Sequence, residues 1–160
     1  MSVAFIKEES AETAAETLLP DRQISTHPNL VTEAGLKALE LQLRQAREAY
    51  DSTRTIEDVN ERRRRAASPL RDLRYFSERV RTAQLVPDPI SSETVAFGST
   101  VTFSRDDGGV HTFRIVGEDE ADPKAGSISY MSPVARRLMG KTVGDIVAMG
   151  DQELEIIAIS

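Results

Sequence analysis

This 160-residue chain has no cysteine and no tryptophan, and only 5% of its residues are aromatic. Without cysteine there can be no disulfide staple and no thiolate metal or redox site. That fits a reducing compartment. No apolar run approaches the ~18 residues that a membrane span needs. The opening residues, MSVAFIKEES, lack the apolar core of a secretory signal. A cytoplasmic location is therefore expected, with no membrane partner. Gly108, Gly109 and Gly117 are placed as turn glycines, and no strand, glycine-rich loop and helix follow one another as a phosphate loop requires. His27 and His111 lack a helix-spaced ligand partner, so both read as ordinary histidines rather than metal ligands. No nucleophile constellation is present. The chain is expected not to be an enzyme, and to bind no cofactor and no small-molecule substrate.

What is present suits a folded chain: 39% hydrophobic and 29% charged residues, with a net charge of -6. The charge is uneven. Residues 1–29 carry 5 acids and 2 bases, residues 30–86 carry 9 and 12, and residues 87–160 carry 12 and 6. The sums are -3, +3 and -6. An acidic C-terminal half repels phosphates and suits a basic protein surface better than nucleic acid.

The patterning divides the chain into four parts. Residues 1–29, poor in large apolar groups, read as a flexible arm, with a turn or two of helix expected at Thr13 to Leu19. Residues 30–86 read as two helices. Thr32 is placed as an N-cap, and Leu36, Leu39, Leu43, Ala46 and Tyr50 form a heptad seam. A second seam runs Val59, Ala66, Leu70, Leu73 and Val80, with Phe76 beside it. Weak helix formers at 51–55 separate the two, with a capping-box pattern from Thr55 to Asp58. Two narrow stripes joined by a short link predict an antiparallel coiled-coil hairpin. Pro69 either kinks the second helix or starts it after Ser68; a kinked continuous helix is the expected form. Residues 87–94 are a linker by composition.

From residue 95 the apolar period changes to two. Val95, Phe97, Val101 and Phe103 read as strand, 106–109 as a hairpin turn, and Val110 to Val116 as the returning strand. An acidic loop follows at 118–126, then a short strand at 127–130. A short helix is capped by Ser132 and Pro133 and ended by Gly140, and strands follow at 143–149 and 153–159. The fold class is α+β: a helical hairpin, then a five-stranded, mostly antiparallel sheet with one short helix over residues 95–160.

Four segments here, Val95-Ala-Phe-Gly-Ser-Thr-Val101, Arg114-Ile-Val-Gly-Glu-Asp-Glu-Ala-Asp122, Ile128-Ser-Tyr-Met-Ser-Pro-Val-Ala-Arg136 and Gly140-Lys-Thr-Val-Gly-Asp145, resemble the C-terminal domain of the bacterial GreA/GreB transcription elongation factors. Val31-Thr-Glu-Ala-Gly-Leu36 and Ala83-Gln-Leu85 resemble the ends of that family's coiled coil. The resemblance implies an FKBP-like C-terminal fold that docks on RNA polymerase at the rim of its secondary channel. The coiled coil would enter the channel, with nucleic acid of the elongation complex within reach. Tip acids would there help to hold a polymerase Mg²⁺ and orient water for cleavage of backtracked RNA.

Carried over residue by residue, the docking surface maps onto Glu118, Asp119, Glu120, Asp122, Ser129, Tyr130, Ser132, Pro133 and Arg136, with Ala135 nearby. The tip maps onto Glu57, Asp58 and Glu61, and Asp58 and Glu61 are the candidate Mg²⁺ ligands. Asp58 and Glu61 share a helix face. The better reading of the two residues on their own is helix-start acids favoured by the dipole. The family's Gly before the acidic pair and Asn after it are absent here, and Arg62 to Arg65 follow at once. That run reads either as a solvated face or as a contact with RNA, DNA or an acidic channel wall. The hairpin is shorter than the family's usual one by about seven residues per helix, or ~10 Å of reach. Displacement of a catalytic group by even ~1 Å costs much of its effect. The expected activity is polymerase binding with weak or no cleavage stimulation. Two alternatives stay open: a full cleavage factor using Asp58 and Glu61, and an FKBP-like prolyl isomerase or chaperone, which would need an open pocket lined by three of the rings of Phe97, Phe103, Phe113 and Tyr130.

Overall fold

A computed structural model describes residues 19–160. The helical turn expected at Thr13 to Leu19 lies outside the described residues, Leu19 excepted. The described residues divide into two compact units, one of residues 19–26 and 39–82, the other of residues 27–38 and 83–160.

The helical hairpin is present. Helix α1 spans Glu33–Ser52 and helix α2 spans Val59–Thr82. Thr32 caps α1: its Oγ1 accepts the Gly35 N–H at 3.0 Å. At the far end, the Ser52 hydroxyl donates to the Ala49 carbonyl and that of Thr53 to the Tyr50 carbonyl, both at 2.7 Å. These hydroxyls satisfy carbonyls that the ending helix leaves over. A 3₁₀ turn at Thr53–Thr55 follows. The capping box expected from Thr55 to Asp58 is not the form taken. Thr55 donates back to the Ser52 carbonyl at 3.2 Å, and Asp58 itself caps α2. Helix α2 runs unbroken through Pro69, as expected.

Along α1, Leu39 and Ala46 are buried, with Leu36, Leu43 and Tyr50 half-buried. Along α2, Ala66, Leu70, Leu73, Phe76 and Val80 are half-buried, but Val59 is 47% exposed. The second seam therefore begins at Ala66. In the same unit, Arg22 stacks 3.9 Å from the Tyr75 ring centroid and pairs with Asp72 at 3.2 Å, while Asp21 pairs with Arg74 at 3.3 Å.

The other unit holds a two-stranded and a five-stranded sheet. In the small sheet, β1 (Leu30–Val31) lies parallel to β2 (Gln84–Leu85). The Gln84 N–H donates to the Asn29 carbonyl at 2.8 Å and that of Val86 to Val31 at 2.9 Å. The chain thus leaves for the hairpin and returns from it at neighbouring points of this unit.

The large sheet comprises β3 (Thr100–Arg105), β4 (Val110–Val116), β5 (Ser127–Ser129), β6 (Ile146–Met149) and β7 (Gln152–Ile159). Its order is β5-β4-β3-β7-β6. Only the β4–β5 pair is parallel, because a loop and a 3₁₀ turn at Pro123–Ala125 carry the chain across. The period of two sends Val101 and Phe103 inward, to meet Ile115, Ile128, Val147, Leu154 and Ile156. Helix α3 (Pro133–Leu138) covers this face with Ala135 and Leu138, both fully buried.

Two strand expectations change. Val95 and Phe97 are buried but not in a strand. Gly98 takes φ +89° and turns the chain, so 95–99 plugs the core as a loop and β3 starts at Thr100. Likewise β6 starts at Ile146 rather than at residue 143. Thr142 to Asp145 form a turn around the Asp145 carboxylate, with Gly144 at φ +91°.

Candidate functional site

The acidic loop packs against the start of the hairpin within the C-terminal unit. Three contacts hold it there. First, a Cβ added to Gly117 would sit 2.4 Å from the Leu30 carbonyl oxygen, so backbone meets backbone with no room for a side chain. Second, the buried Thr32 hydroxyl donates to the Glu120 carboxylate, with Oγ1 2.8 and 2.6 Å from its two oxygens. The same oxygen accepts the Gly35 N–H, so one hydroxyl caps α1 and anchors the loop. This also places Glu120 near the N-terminus of a 20-residue helix, where the dipole favours an anion. Third, the Tyr130 phenol donates to the Pro28 carbonyl, and the Tyr130 ring meets Phe97 edge-on at 5.7 Å.

The nine docking candidates differ in exposure. Glu120, Ser129, Tyr130 and Ser132 have bonds inside the unit. The Ser129 Oγ accepts the Met131 N–H at 3.0 Å, and the Ser132 Oγ accepts the Ala135 N–H at 3.3 Å as the cap of α3. Glu118 is half-buried, whereas Asp119, Asp122, Pro133 and Arg136 are exposed. The solvent-facing part of the candidate surface is thus two carboxylates, a proline and an arginine. The double role of Thr32 had one local signal in the sequence, its place as the cap of α1. Nothing local could say that Thr32 would meet a residue 88 positions away.

At the far end of the hairpin, the candidate tip acids have partners of their own. Asp58 Oδ1 accepts the N–H groups of Asn60 at 2.9 Å and Glu61 at 3.0 Å. Glu61 pairs with Arg65 at 2.8 Å. Glu57 is exposed. No group of three or more His, Asp or Glu side chains among the described residues could hold a metal. Of the two candidate ligands, Asp58 caps a helix through Oδ1 and Glu61 is half of an ion pair through Oε1.

The arginine run is divided by the helix. Arg65 turns to Glu61, and Arg62 donates to the Ile56 carbonyl at 3.3 Å. Arg62 and Arg63 line a cleft with Tyr50, Arg54, Ala66 and Leu70. His111 stacks near Phe103, ring centroids 5.7 Å apart, and near Phe113. Phe97 and Phe103 are buried, and Phe113 packs on the core. These rings fill the interior instead of facing a peptide. No helix among the described residues is long and apolar enough to cross a membrane.

Comparison with known proteins extends this picture. Residues 90–160 match the family described as "Transcription elongation factor, GreA/GreB, C-term". The chain is 36% identical over 117 residues to the transcription elongation factor GreA of Desulfovibrio desulfuricans, covering 69% of this chain and 67% of that protein. It is 49% identical over 70 residues to the GreA of Thioalkalivibrio sulfidiphilus, covering 41% of this chain and 44% of that protein. The chain thus spans about two thirds of the first relative's length and under half of the second's. Among solved structures, GreA factor homolog 1 of Thermus thermophilus aligns with 84% of this chain and 99% of its own, at 21% identity and a TM-score of 0.39. With a relative more than one third identical over two thirds of its length, and the C-terminal family matched to the last residue, the chain belongs to the GreA/GreB transcription elongation factor family.

Proposed function

We propose that this protein is a transcription elongation factor that binds RNA polymerase through its C-terminal unit, acts at the secondary channel, and gives weak or no stimulation of transcript cleavage. Family membership supports the polymerase as partner. The charge supports the docking mode: residues 87–160 sum to -6, and Asp119 and Asp122 are exposed. Exposed carboxylates of this kind steer a basic partner surface more than they tighten the final complex.

The observation that carries the weak-cleavage reading is the state of the tip acids. Asp58 Oδ1 serves as a helix cap and Glu61 Oε1 pairs with Arg65, so the adjoining arginine offsets part of the negative charge that the two carboxylates could offer a cation elsewhere. The protein's effect then lies in occupying its site on the polymerase and altering pausing.

The test is a transcript-cleavage assay on stalled, backtracked elongation complexes, run beside a binding assay. Saturable polymerase binding with cleavage near the factor-free rate is expected. Asp119→Lys with Asp122→Lys should weaken binding and flatten its salt dependence. Strong cleavage that is lost in Asp58→Ala would overturn the weak-cleavage reading and establish the tip acids as active groups. Absence of any polymerase binding would overturn the whole proposal.

A further inference from the structure

The described chain begins with a segment that already lies on α2. The Gln84 N–H, two residues past the end of that helix, donates to the Asn29 carbonyl. Farther up the chain, Arg22 pairs with Asp72 and stacks on Tyr75, and Asp21 pairs with Arg74 at 3.3 Å. As residue numbers fall from Asn29 to Asp21, partner numbers therefore fall as well, so the segment runs alongside α2 toward the start of that helix. Leu19 to Ser25 form neither helix nor strand, and Pro20 disfavours helix at Leu19.

Asp21 sets the path on the helix surface. Arg74, Leu70, Ala67 and Arg63 run i, i−4, i−7 and i−11, which is one stripe of α2. The stripe leads into a cleft of about 350 Å³, with Ala66, Ala67 and Leu70 as its floor on α2 and Arg63 at its rim. The three floor residues are half-buried. On the opposite wall, Arg54 lies over the Tyr50 ring at 5.8 Å, so the open side of the cleft is the α2 side. Two cations on this path lack partners. Arg63 is exposed and forms no ion pair among the described residues. Arg71, one turn from both Ala67 and Arg74, has a buried Nε with no hydrogen-bond partner among the described residues.

We propose that this stripe seats the chain's own N-terminal arm, with Leu18 on Ala67 and Leu70 and Glu16 against Arg63. The lengths agree. Arg74 and Arg63 lie ~16 Å apart along the helix at 1.5 Å per residue, and the five residues from Asp21 to Glu16 span ~16 Å when extended. Leu18 then comes level with Ala67. Leu18 and Glu16 also share the alternation of Arg22, whose side chain faces α2. The charges agree as well: residues 1–18 carry four acids and one base, and residues 59–74 carry six bases and two acids. A leucine meets the apolar floor and a carboxylate meets the guanidinium at its rim. While seated, the arm withholds Arg63 from other anions. This contact is independent of how the protein meets the polymerase.

The chain has no cysteine, so an introduced pair reports on this contact alone. Full-length Leu18→Cys/Ala67→Cys and Leu18→Cys/Ser68→Cys chains are oxidised at high dilution, with disulfides located by mass spectrometry and folding checked by circular dichroism. Ser68 is exposed at nearly the same height on another face of α2. A disulfide needs Cα atoms within about 4.4–6.8 Å, so a bond within one chain should form faster at Ala67 than at Ser68. In the Ala67→Cys background, Glu16→Lys or Arg63→Glu should each slow it about threefold, the scale of an exposed ion pair. The two reversals together should restore the rate. Arg64→Glu makes the same charge change one position away on another face and should leave the rate near that of the parent. Equal rates at Ala67 and Ser68 would overturn the proposal, as would bonds between chains instead of within one. Equal slowing by Arg63→Glu and Arg64→Glu, with no rescue by Glu16→Lys, would overturn it in favour of diffuse charge.

Discussion

Thr32 gives the sharpest test of how this molecule is held together. Its hydroxyl is buried, with 2% of the residue exposed. It accepts the Gly35 N–H at 3.0 Å and donates to Glu120 at 2.6–2.8 Å. Thr32→Val keeps the shape and removes both bonds. Loss of the cap costs about 1 kcal/mol. Loss of a hydrogen bond to a charged acceptor costs a further ~1.5–3 kcal/mol, because a part-buried carboxylate keeps its desolvation without its donor. The total expected is about 3 kcal/mol, or a melting temperature lower by roughly 6–12 °C for a chain of this size. Thr32→Ser retains the hydroxyl and should lose under ~1 kcal/mol. Thermal melts followed by circular dichroism measure the loss, and NMR hydrogen exchange locates it. Protection should fall at Gly35 and Leu36 and at the β1–β2 pair, while the β3–β7 ladder holds. Equal stability of the Val and Ser variants, or a Val variant within about 0.5 kcal/mol of the parent, would refute the reasoning.

Two further outcomes follow from the same unit. Gly117→Ala should destabilise by ~1–3 kcal/mol, since the new Cβ would sit 2.4 Å from the Leu30 carbonyl oxygen and neither backbone can yield cheaply; chemical denaturation measures it. The Asp145 carboxyl is held below its ordinary 3.8, chiefly by the Thr142 backbone N–H, with help from the Thr142 hydroxyl and the Lys141 charge. A lowered folded-state value means the stabilisation is present above pH 3.8 and is lost as pH falls through the folded value. Asp145→Asn should therefore flatten the acid side of the stability curve below about pH 4, read from melting temperatures across pH.

The sequence by itself determined most of the framework. Apolar spacing of three and four set the hairpin helices, and the change to a period of two set the sheet, because burial of one face dictates both patterns. Thr32 and Ser132 were legible as caps, since capping is settled within three residues. The linked motifs from Val95 to Asp145 carried the family resemblance. Where the local reading failed, a competing local conformation won. Gly98 turned residues expected as strand into a core plug, and Asp58 took the cap assigned to Thr55.

Only the tertiary structure decided which polar groups remain available. Glu120 and Tyr130 read from sequence as surface groups beside an acidic loop. Folding gives them Thr32 and Pro28 as partners, 88 and 102 positions away. Four consecutive arginines read from sequence as one run, a solvated face or a single contact surface. The fold turns Arg65 to Glu61, ties Arg62 to Ile56, and leaves Arg63 at the edge of a cleft. The physical reason is the same in each case. Periodicity and caps depend on residues within one turn or one pleat, which the sequence displays. Pairings between distant segments depend on the path by which the chain closes, and a hydrogen-bonding group looks the same in sequence before and after it is taken.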